Sequence, residues 1–252
     1  MLSTQTFGDD TTLPPILIVH GLFGSGRNWG VIARRLADIR RVVTVDMRNH
    51  GTSPKTDSHS YAELAGDLSE VIDGLGGQAD VIGHSMGGKA AMVLALAHPA
   101  KLRRLLVADI APVAYSHSQQ VMIDAMRGID LAQVNTRGDA DRQLSAHVED
   151  ASTRAFLLQS LDVKAREWRL NLETLERDMG KIVGFPEISG QFDGPALFLS
   201  GAKSDYVLPD HRPLIKALFP QAKQAKIPGA GHWLHAEKSR EFEAAARAFL
   251  NV

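Results

Sequence analysis

The chain has 252 residues, with 28 lysines and arginines, 29 aspartates and glutamates, and a formal net charge of −1. Both signs of charge are spread along it, so we expect no nucleic acid partner. The absence of cysteine excludes disulfides, thiolate metal sites and a cysteine nucleophile. No apolar run approaches the ~20 residues that span a bilayer, and the first residues do not resemble a signal peptide. We therefore expect a cytoplasmic protein with no membrane partner.

Short apolar runs alternate with helical patterns along the chain, which is typical of a parallel sheet flanked by helices. The predicted strands cover residues 16–20, 42–46, 79–83, 105–110, 196–200 and 224–227. Apolar residues recur at helical spacing between positions 61 and 75, and again over residues 238–250, so both segments are predicted amphipathic helices. The predicted fold class is therefore α/β, with a mostly parallel twisted sheet.

The alternation of strands and helices stops after Pro112. Residues 113–190 have a mostly helical pattern, and a buried strand returns only near Pro195. An insertion of this size is too long for a structureless loop in a compact domain. We predict a core domain of residues 1–112 and 191–252, and a helical cap, or lid, of residues 113–190.

One serine stands between two glycines in the sequence Gly-His-Ser-Met-Gly at residues 83–87, after a predicted strand and before an alanine-rich helical segment. A nucleophile elbow has this context, because its sharp turn exposes the serine hydroxyl while the glycines let strand and helix approach closely. The pattern predicts Ser85 as a nucleophile.

A serine hydroxyl needs a positioned base, and the chain has ten histidines. His232 is the predicted base, because its glycine-rich loop follows the last predicted strand, at the sheet edge where the elbow opens. His84 is expected to be packed inside the elbow, and His235 to lie at the surface or behind the site. Ordinary structural roles are expected at histidines 59, 98, 117, 147 and 211, with His117 also a candidate to face the pocket from the cap.

Two aspartates compete to orient the imidazole of the base. Asp205 lies just past a predicted strand and gives the chain order Ser, Asp, His. Asp109 stands at the carboxyl end of the strand that follows the elbow. A carboxylate in so apolar a run is expensive to bury unless a partner pairs with it. The residues alone leave both candidates open.

A glycine-rich loop at residues 20–26 follows the first parallel strand, and its backbone can turn N–H groups toward a developing oxyanion. Leu22 N–H and Met86 N–H are the predicted donors, with Phe23 N–H as a further candidate. A phosphate-binding loop is disfavoured, because Trp29 stands where that motif requires glycine.

Apolar and aromatic side chains near these motifs predict an apolar substrate pocket. The predicted lining residues are Phe23, Met122, Trp168, Tyr206 and Trp233. Within the cap, residues 126, 156, 157 and 161 are further candidates, although packing of the cap against itself explains most cap residues equally well.

Four motifs together resemble those of the α/β-hydrolase fold superfamily over nearly the whole chain. They are His-Gly at 20–21, Asp-Met-Arg-Asn-His-Gly-Thr-Ser at 46–53, the elbow, and Gly-His-Trp at 231–233. Within this superfamily the chain is most similar to small capped bacterial carboxylesterases, which act on short to medium acyl esters without a cofactor.

The resemblance implies Ser85 as nucleophile, His232 as base, Leu22 and Met86 as oxyanion donors, and a cap inserted after the sixth standard strand of the family's sheet. It also implies that the antiparallel hairpin opening this sheet is shortened.

The resemblance bears on the acid as well. Relatives that share the Asp-Ile-Ala-Pro stretch use the position of Asp109, which is therefore slightly preferred. The acid of the wider superfamily lies near Asp205, although the usual spacing would place it at Ser204.

The predicted function is a serine carboxylesterase that forms an acyl-enzyme on a small-molecule ester, without metal or cofactor, as a monomer or homodimer. Thioesterase, amidase, perhydrolase and carbon–carbon hydrolase or lyase reactions use the same groups and stay open. A non-catalytic ligand receptor of the same fold is the alternative from another class. Dehalogenases and epoxide hydrolases are disfavoured, because they need a carboxylate at the elbow.

Overall fold

A computed structural model of the chain describes residues 1–116 and 118–250, so His117 lies outside the described residues. The strands are β1 (Thr4–Phe7), β2 (Ile16–Val19), β3 (Val42–Val45), β4 (Ala79–His84), β5 (Leu102–Ala108), β6 (Leu161–Asp162), β7 (Glu167–Trp168), β8 (Ala196–Gly201) and β9 (Ala222–Ile227). The helices are α1 (Gly30–Leu36), α2 (Tyr61–Gly74), α3 (Met86–Ala97), α4 (Gln120–Arg127), α5 (Arg137–Leu144), α6 (Ala151–Leu157), α7 (Leu172–Arg177), α8 (Met179–Val183), α9 (Arg212–Leu218), α10 (Leu234–Glu237) and α11 (Ser239–Leu250).

Seven strands form one sheet in the order β1-β3-β2-β4-β5-β8-β9. Every neighbouring pair is parallel except β1 and β3, which are antiparallel. The predicted fold class is confirmed, and the six predicted strands agree with the observed ones to within three residues at each end. The single strand β1 stands where the family's opening hairpin was expected to be shortened.

Both faces of the sheet are covered by helices, which explains why its inner strands are continuously apolar. In β2, Ile16 and Ile18 belong to one apolar cluster, and Leu17 and Val19 belong to the other. The first cluster includes residues of α1 and α11, and the second includes residues of α2 and α3. Side chains along one strand alternate between the two faces, so each strand contributes to both layers.

The two predicted amphipathic helices are present as α2 and α11. A capping box begins α2, where Ser60 accepts from the Glu63 N–H and the Glu63 side chain accepts from the Ser60 N–H. This pairing satisfies two backbone donors that a helix start leaves unpaired. Helix α3 is buried from Met86 to Leu96, which places the segment after the elbow inside the molecule.

The described residues between 113 and 190 include helices α4–α8 and the hairpin β6–β7, which lie between β5 and β8 in the chain. The Ser160 hydroxyl donates to Phe23 O at 2.7 Å, and the Asn171 N–H donates to Asn49 O at 2.9 Å. Phe23 and Asn49 follow β2 and β3, so this insertion is bonded to loops at the carboxyl edge of the parallel sheet. Among residues 1–116 and 118–250, no helix combines the length and apolar character of a membrane span.

Candidate active site

Ser85 lies between β4 and α3 in a strained backbone conformation, with φ 52° and ψ −122°. Positive φ is rare for residues with a side chain, and strain of this kind clusters at functional sites. The Ser85 N–H donates to Ala108 O at 3.1 Å, which fixes the turn against the end of β5.

The approach of α3 to β2 requires a glycine at position 87. A Cβ built on Gly87 would lie 2.4 Å from His20 O and 2.6 Å from Val19 O. No side chain fits at that distance from backbone atoms, so the helix can begin directly behind the serine only because Gly87 has none.

His232 and Asp109 form a hydrogen-bonded pair beside this turn. The His232 Nδ1 donates to Asp109 Oδ2 at 2.7 Å. The carboxylate is completely buried, whereas the imidazole side chain is 22% exposed. The Tyr206 ring stacks on the imidazole with centroids 4.0 Å apart and an interplanar angle of 18°. Nδ1 therefore faces the buried carboxylate, and the ring is held in one orientation.

The buried Asp109 carboxylate accepts further hydrogen bonds from the last residue of β8 and from the loop that follows it. The Gly201 N–H donates to Asp109 Oδ1 at 2.9 Å, and the Ser204 hydroxyl donates to Asp109 Oδ2. Backbone and hydroxyl donors offset the cost of burying a charged oxygen. Asp205, by contrast, is exposed. The structure thus brings Ser204, but not Asp205, to the carboxylate that contacts His232.

The loop after β2 lies directly beside Ser85. A Cβ built on Gly21 would come within 3.1 Å of Ser85 Cβ, and Leu22 and Met86 both line the same cavity as Ser85. The Phe23 N–H, a candidate oxyanion donor in the sequence, instead donates to His50 Nε2 at 3.2 Å. The Phe23 N–H is therefore not an oxyanion donor, because it holds the loop to His50. Leu22 and Met86 stay the two candidate donors.

Buried histidines fix this loop through hydrogen bonds to its backbone. Because the Met47 N–H donates to His20 Nε2 at 2.9 Å, the ring proton of His20 is on Nδ1, which donates to Gly21 O at 2.8 Å. Burial lowers the pKa of His20 and places that of His50 well below its usual range. Neutral imidazoles can accept one N–H while donating another, which these contacts require.

His84 lies behind the predicted base, as expected for a packed and hydrogen-bonded residue. Its Nε2 donates to His232 O at 2.9 Å, and burial, followed by the nearby His235, places its pKa well below the usual range. His235 is buried and stacks on Trp29 with centroids 4.0 Å apart. His235 was expected either at the surface or behind the site, and the structure places it behind the site.

Ser85 and His232 open into one cavity of about 280 Å³. Its described lining is mainly apolar and aromatic, and it contains no aspartate or glutamate. Besides Ser85 and His232, the lining includes His20, Gly21, Leu22, Phe23, Trp29, Tyr61, His84, Met86, Lys89, Ile110, Tyr115, Gln119, Met122, Thr153, Phe156, Leu157, Ile182, Val183, Tyr206, Trp233 and His235. The insertion therefore supplies part of the wall of a mostly apolar pocket.

The predicted pocket residues Phe23, Met122, Tyr206 and Trp233 line this cavity, but Trp168 does not. Trp168 is buried in β7, and its indole N–H donates to Met126 O at 3.0 Å. The expectation for Trp168 is corrected, since this residue joins the hairpin to α4. Packing within the insertion, the alternative noted for most of its apolar residues, accounts for Trp168.

Lys89 lines the cavity, although no motif in the sequence indicates it as a site residue. It is buried, and burial lowers the pKa of its ammonium to about 7. The sequence feature that could have indicated it is its charge, because Lys89 is the only charged residue in α3. Among the described residues, no cluster of three or more histidine, aspartate or glutamate side chains is arranged to hold a metal ion.

The model of the family described as alpha/beta hydrolase fold matches residues 14–239. The chain belongs to the α/β hydrolase family, and the family predicted from the motifs is confirmed.

Two relatives and one solved structure carry the similarity further. The chain is 43% identical over 260 residues to the sn-1-specific diacylglycerol lipase ABHD11 of Mus musculus, covering 99% of this chain and 85% of the relative. It is 38% identical over 252 residues to the esterase YbfF of Escherichia coli, covering 99% and 98% of the two chains. A structure described as a marine microorganism esterase has a TM-score of 0.93 at 40% identity, covering 98% of each chain. The predicted class of activity, ester hydrolysis by a serine hydrolase, is confirmed at this level.

Proposed function

We propose that the protein is a serine carboxylesterase that hydrolyses short to medium acyl esters through an acyl-enzyme. One observation carries the proposal: Ser85 and His232 line a single apolar cavity, and the buried Asp109 carboxylate holds His232 Nδ1 at 2.7 Å. A serine nucleophile needs a base that a third group orients, and the three residues supply those roles.

In the proposed reaction, His232 Nε2 takes the proton of the Ser85 hydroxyl as its oxygen attacks the ester carbonyl carbon. The N–H groups of Leu22 and Met86 stabilise the oxyanion of the tetrahedral intermediate. The intermediate collapses as His232 gives its proton to the leaving alcohol, which leaves an acyl-enzyme. Water then attacks that ester with His232 again as base, and the carboxylic acid leaves.

Asp109 orients the ring of His232 and stabilises the imidazolium that forms during both steps. Ser204 donates to the same carboxylate oxygen that accepts from His232. This contact supports Asp109, and not Asp205, as the acid of the proposed triad.

We further propose that residues 113–190 act as a cap on a core of residues 1–112 and 191–252. The lining of the cavity by Met122, Phe156 and Ile182 supports this division, because the pocket is incomplete without them. The cytoplasmic location and the monomeric or dimeric state stay predictions.

Replacement of Ser85 by alanine tests whether this residue is the nucleophile. Ser85→Ala should lower turnover of p-nitrophenyl acetate and butyrate by at least about 10³-fold, because the attacking oxygen is lost. Steady-state hydrolysis and labelling by a fluorophosphonate measure this, with circular dichroism as the check on folding. Ser145→Ala, at an exposed serine of the insertion, is the matched control and should behave like the wild type.

Undiminished turnover by a folded Ser85→Ala variant would rule out the proposed mechanism. Wild-type protein that neither turns over esters nor takes up the fluorophosphonate would favour the receptor alternative. Acyl-CoA thioesters and a diacylglycerol, assayed in parallel, separate the thioesterase alternative and the substrate named for the mouse relative from simple esters.

A further inference from the structure

Lys89 is a buried lysine one helical turn after Ser85. The residue is 1% exposed, and within the described part of the chain no carboxylate forms an ion pair with it. Transfer of an ammonium group out of water is costly unless hydrogen-bond acceptors surround it. The hydrogen-bond acceptors around Lys89 therefore indicate the role of its ammonium group.

The Lys89 ammonium contacts the carboxyl end of α8, in the insertion. Its Nζ donates to Val183 O at 2.8 Å and to Gly184 O at 2.5 Å. The last carbonyls of a helix have no partner within the helix, and cations near them are favourable. Lys89 thus joins α3, the helix that follows Ser85, to α8, the last helix of the insertion.

Two tyrosines complete this junction. The Tyr61 hydroxyl donates to Ile182 O at 2.6 Å, and the Tyr115 N–H donates to Val183 O at 3.0 Å. Three successive carbonyls, from residue 182 to residue 184, are therefore held by groups outside α8. The Tyr115 ring also covers the ammonium, with Nζ 4.7 Å from the ring centroid.

The residues held in this way form a wall of the cavity. Ile182 and Val183 line it, together with Tyr61, Lys89 and Tyr115. Loss of the Lys89 contacts would leave the Gly184 carbonyl without that donor and Val183 with only the Tyr115 N–H. The end of α8 could then move away from α3 and lengthen the cavity.

We propose that Lys89 is a positioning residue that fixes the wall formed by Ile182 and Val183, and so limits the length of the apolar substrate chain. This inference rests on the proposed esterase function. Lys89 acts here through the backbone of α8 and needs no contact with the reacting atoms.

The test compares chain-length profiles of the wild type and Lys89→Met, which keeps the length and apolar character of the stem. One series uses p-nitrophenyl esters from acetate to dodecanoate, and a second uses acetates of alcohols from ethanol to decanol. We expect the ratio of kcat/KM for the longest chains to that for the shortest to rise at least fivefold in one series, mainly through KM for the long chains.

Lys216→Met is the matched control. Lys216 also donates to two backbone carbonyls, Pro220 O and Ala222 O, but it lies outside the cavity lining. Its ratio should stay within about twofold of the wild type. Tyr61→Phe removes only the hydroxyl that holds Ile182 O and should shift the ratio in the same direction as Lys89→Met, which keeps the test valid if the lysine variant does not fold.

An unchanged or lower ratio in both series, for Tyr61→Phe and for folded Lys89→Met, would overturn the inference. A shift of equal size in Lys216→Met would also overturn it, because the effect would then be a general loss of stability. If wild-type protein hydrolyses none of the esters, the proposed function fails, and this outcome is distinct from an unchanged ratio in an active enzyme.

Discussion

The Asp109 carboxylate is surrounded by three donors from two separate parts of the chain: His232 Nδ1, and the Gly201 N–H with the Ser204 hydroxyl. Its backbone has a positive φ of 52°, as Ser85 does. Side chains at the ends of two neighbouring parallel strands, β4 and β5, are therefore both aimed by unusual backbone conformations. Such strain persists only where the surroundings hold it in place.

Exchange of the two aspartates for asparagine tests which carboxylate acts. Asp109→Asn should lower kcat by about 10³- to 10⁴-fold, because an amide donor facing Nδ1 favours the wrong tautomer of His232. Asp205→Asn, at the exposed neighbour of Ser204, should stay within about twofold of the wild type. Steady-state kinetics on p-nitrophenyl butyrate measures both variants.

Equal small losses in both variants would contradict a role for either carboxylate. A large loss confined to Asp205→Asn would move the acid to the loop after β8. Urea unfolding of both proteins separates these outcomes from loss of structure.

The sequence could nominate Asp109 and Asp205 but could not decide between them. The deciding contacts join Asp109 to residues more than ninety positions away, Gly201 and Ser204. The corrected expectation for the Phe23 N–H has the same cause, because its partner His50 lies 27 residues along the chain. Motifs indicate residue types at turns, whereas hydrogen-bond partners depend on how distant turns meet.

At the scale of elements, the packing of α3 against β2 and β4 leaves no room for a side chain at either glycine of the elbow. A Cβ on Gly83 would lie 2.5 Å from Gly87 O, and one on Gly87 would lie even closer to His20 O. Backbone atoms of two strands and one helix are thus in direct contact behind Ser85. The position of Ser85, the proposed nucleophile, depends on this close approach.

Gly87→Ala should destabilise the fold by about 1–3 kcal/mol, because overpacking against backbone forces the elements apart. It should also lower esterase activity, since α3 and the Met86 amide would move. Gly66→Ala is the matched control: Gly66 lies within α2, and its Cβ would meet nothing within 4 Å. We expect this control to gain roughly 0.5–1 kcal/mol from helix propensity, as measured by urea unfolding.

A Gly87→Ala variant as stable and active as the wild type would show that strand and helix can separate freely at the elbow. Loss of stability in Gly66→Ala would contradict the assignment of open space beside α2.

Six strands could be predicted from the sequence, mostly because they are short apolar runs, and the helices α2 and α11 could be predicted because their apolar residues recur at helical spacing. Strand β1 escaped prediction, since its four residues are mostly exposed and contain only one apolar side chain. The hairpin β6–β7 has only two residues in each strand. Elements this short depend on their neighbours, which local patterns do not contain.

At the scale of the whole molecule, burial keeps several histidines neutral. Burial, followed by the nearby Arg48 charge, lowers the pKa of His59 to about 3. Burial also lowers the pKa of His235 to about 3. In the unfolded chain these groups have a pKa near 6.5. Between pH 6.5 and about 3, the unfolded state therefore binds protons that the folded state does not.

The free energy of unfolding should consequently be fully retained above pH 6.5 and fall as the pH drops below it. Each such histidine contributes a slope of up to about 1.4 kcal/mol per pH unit. His235→Gln should reduce the slope between pH 6.5 and 5 by about that amount, as measured by urea unfolding at several pH values. His98→Gln, at an exposed histidine, is the control and should keep the wild-type slope.

A wild-type slope in His235→Gln would show that this histidine does not titrate on unfolding as proposed. Comparison of slopes, and not of absolute stabilities, removes the packing defect that the substitution itself introduces.

The proposed acid also has a consequence for the engineering of chimeras. Asp109 follows the end of β5 directly, and the insertion leaves the sheet only four residues later, at residue 113. The Ala111 N–H donates to the Tyr115 hydroxyl at 2.9 Å, so the two sides of this junction are bonded to each other. If the acid instead lay after β8, exchange of the insertion between two homologues would leave the triad intact. Because the proposed acid is Asp109, the first crossover must fall after residue 109, since an earlier one would bring in the other homologue's residue at that position.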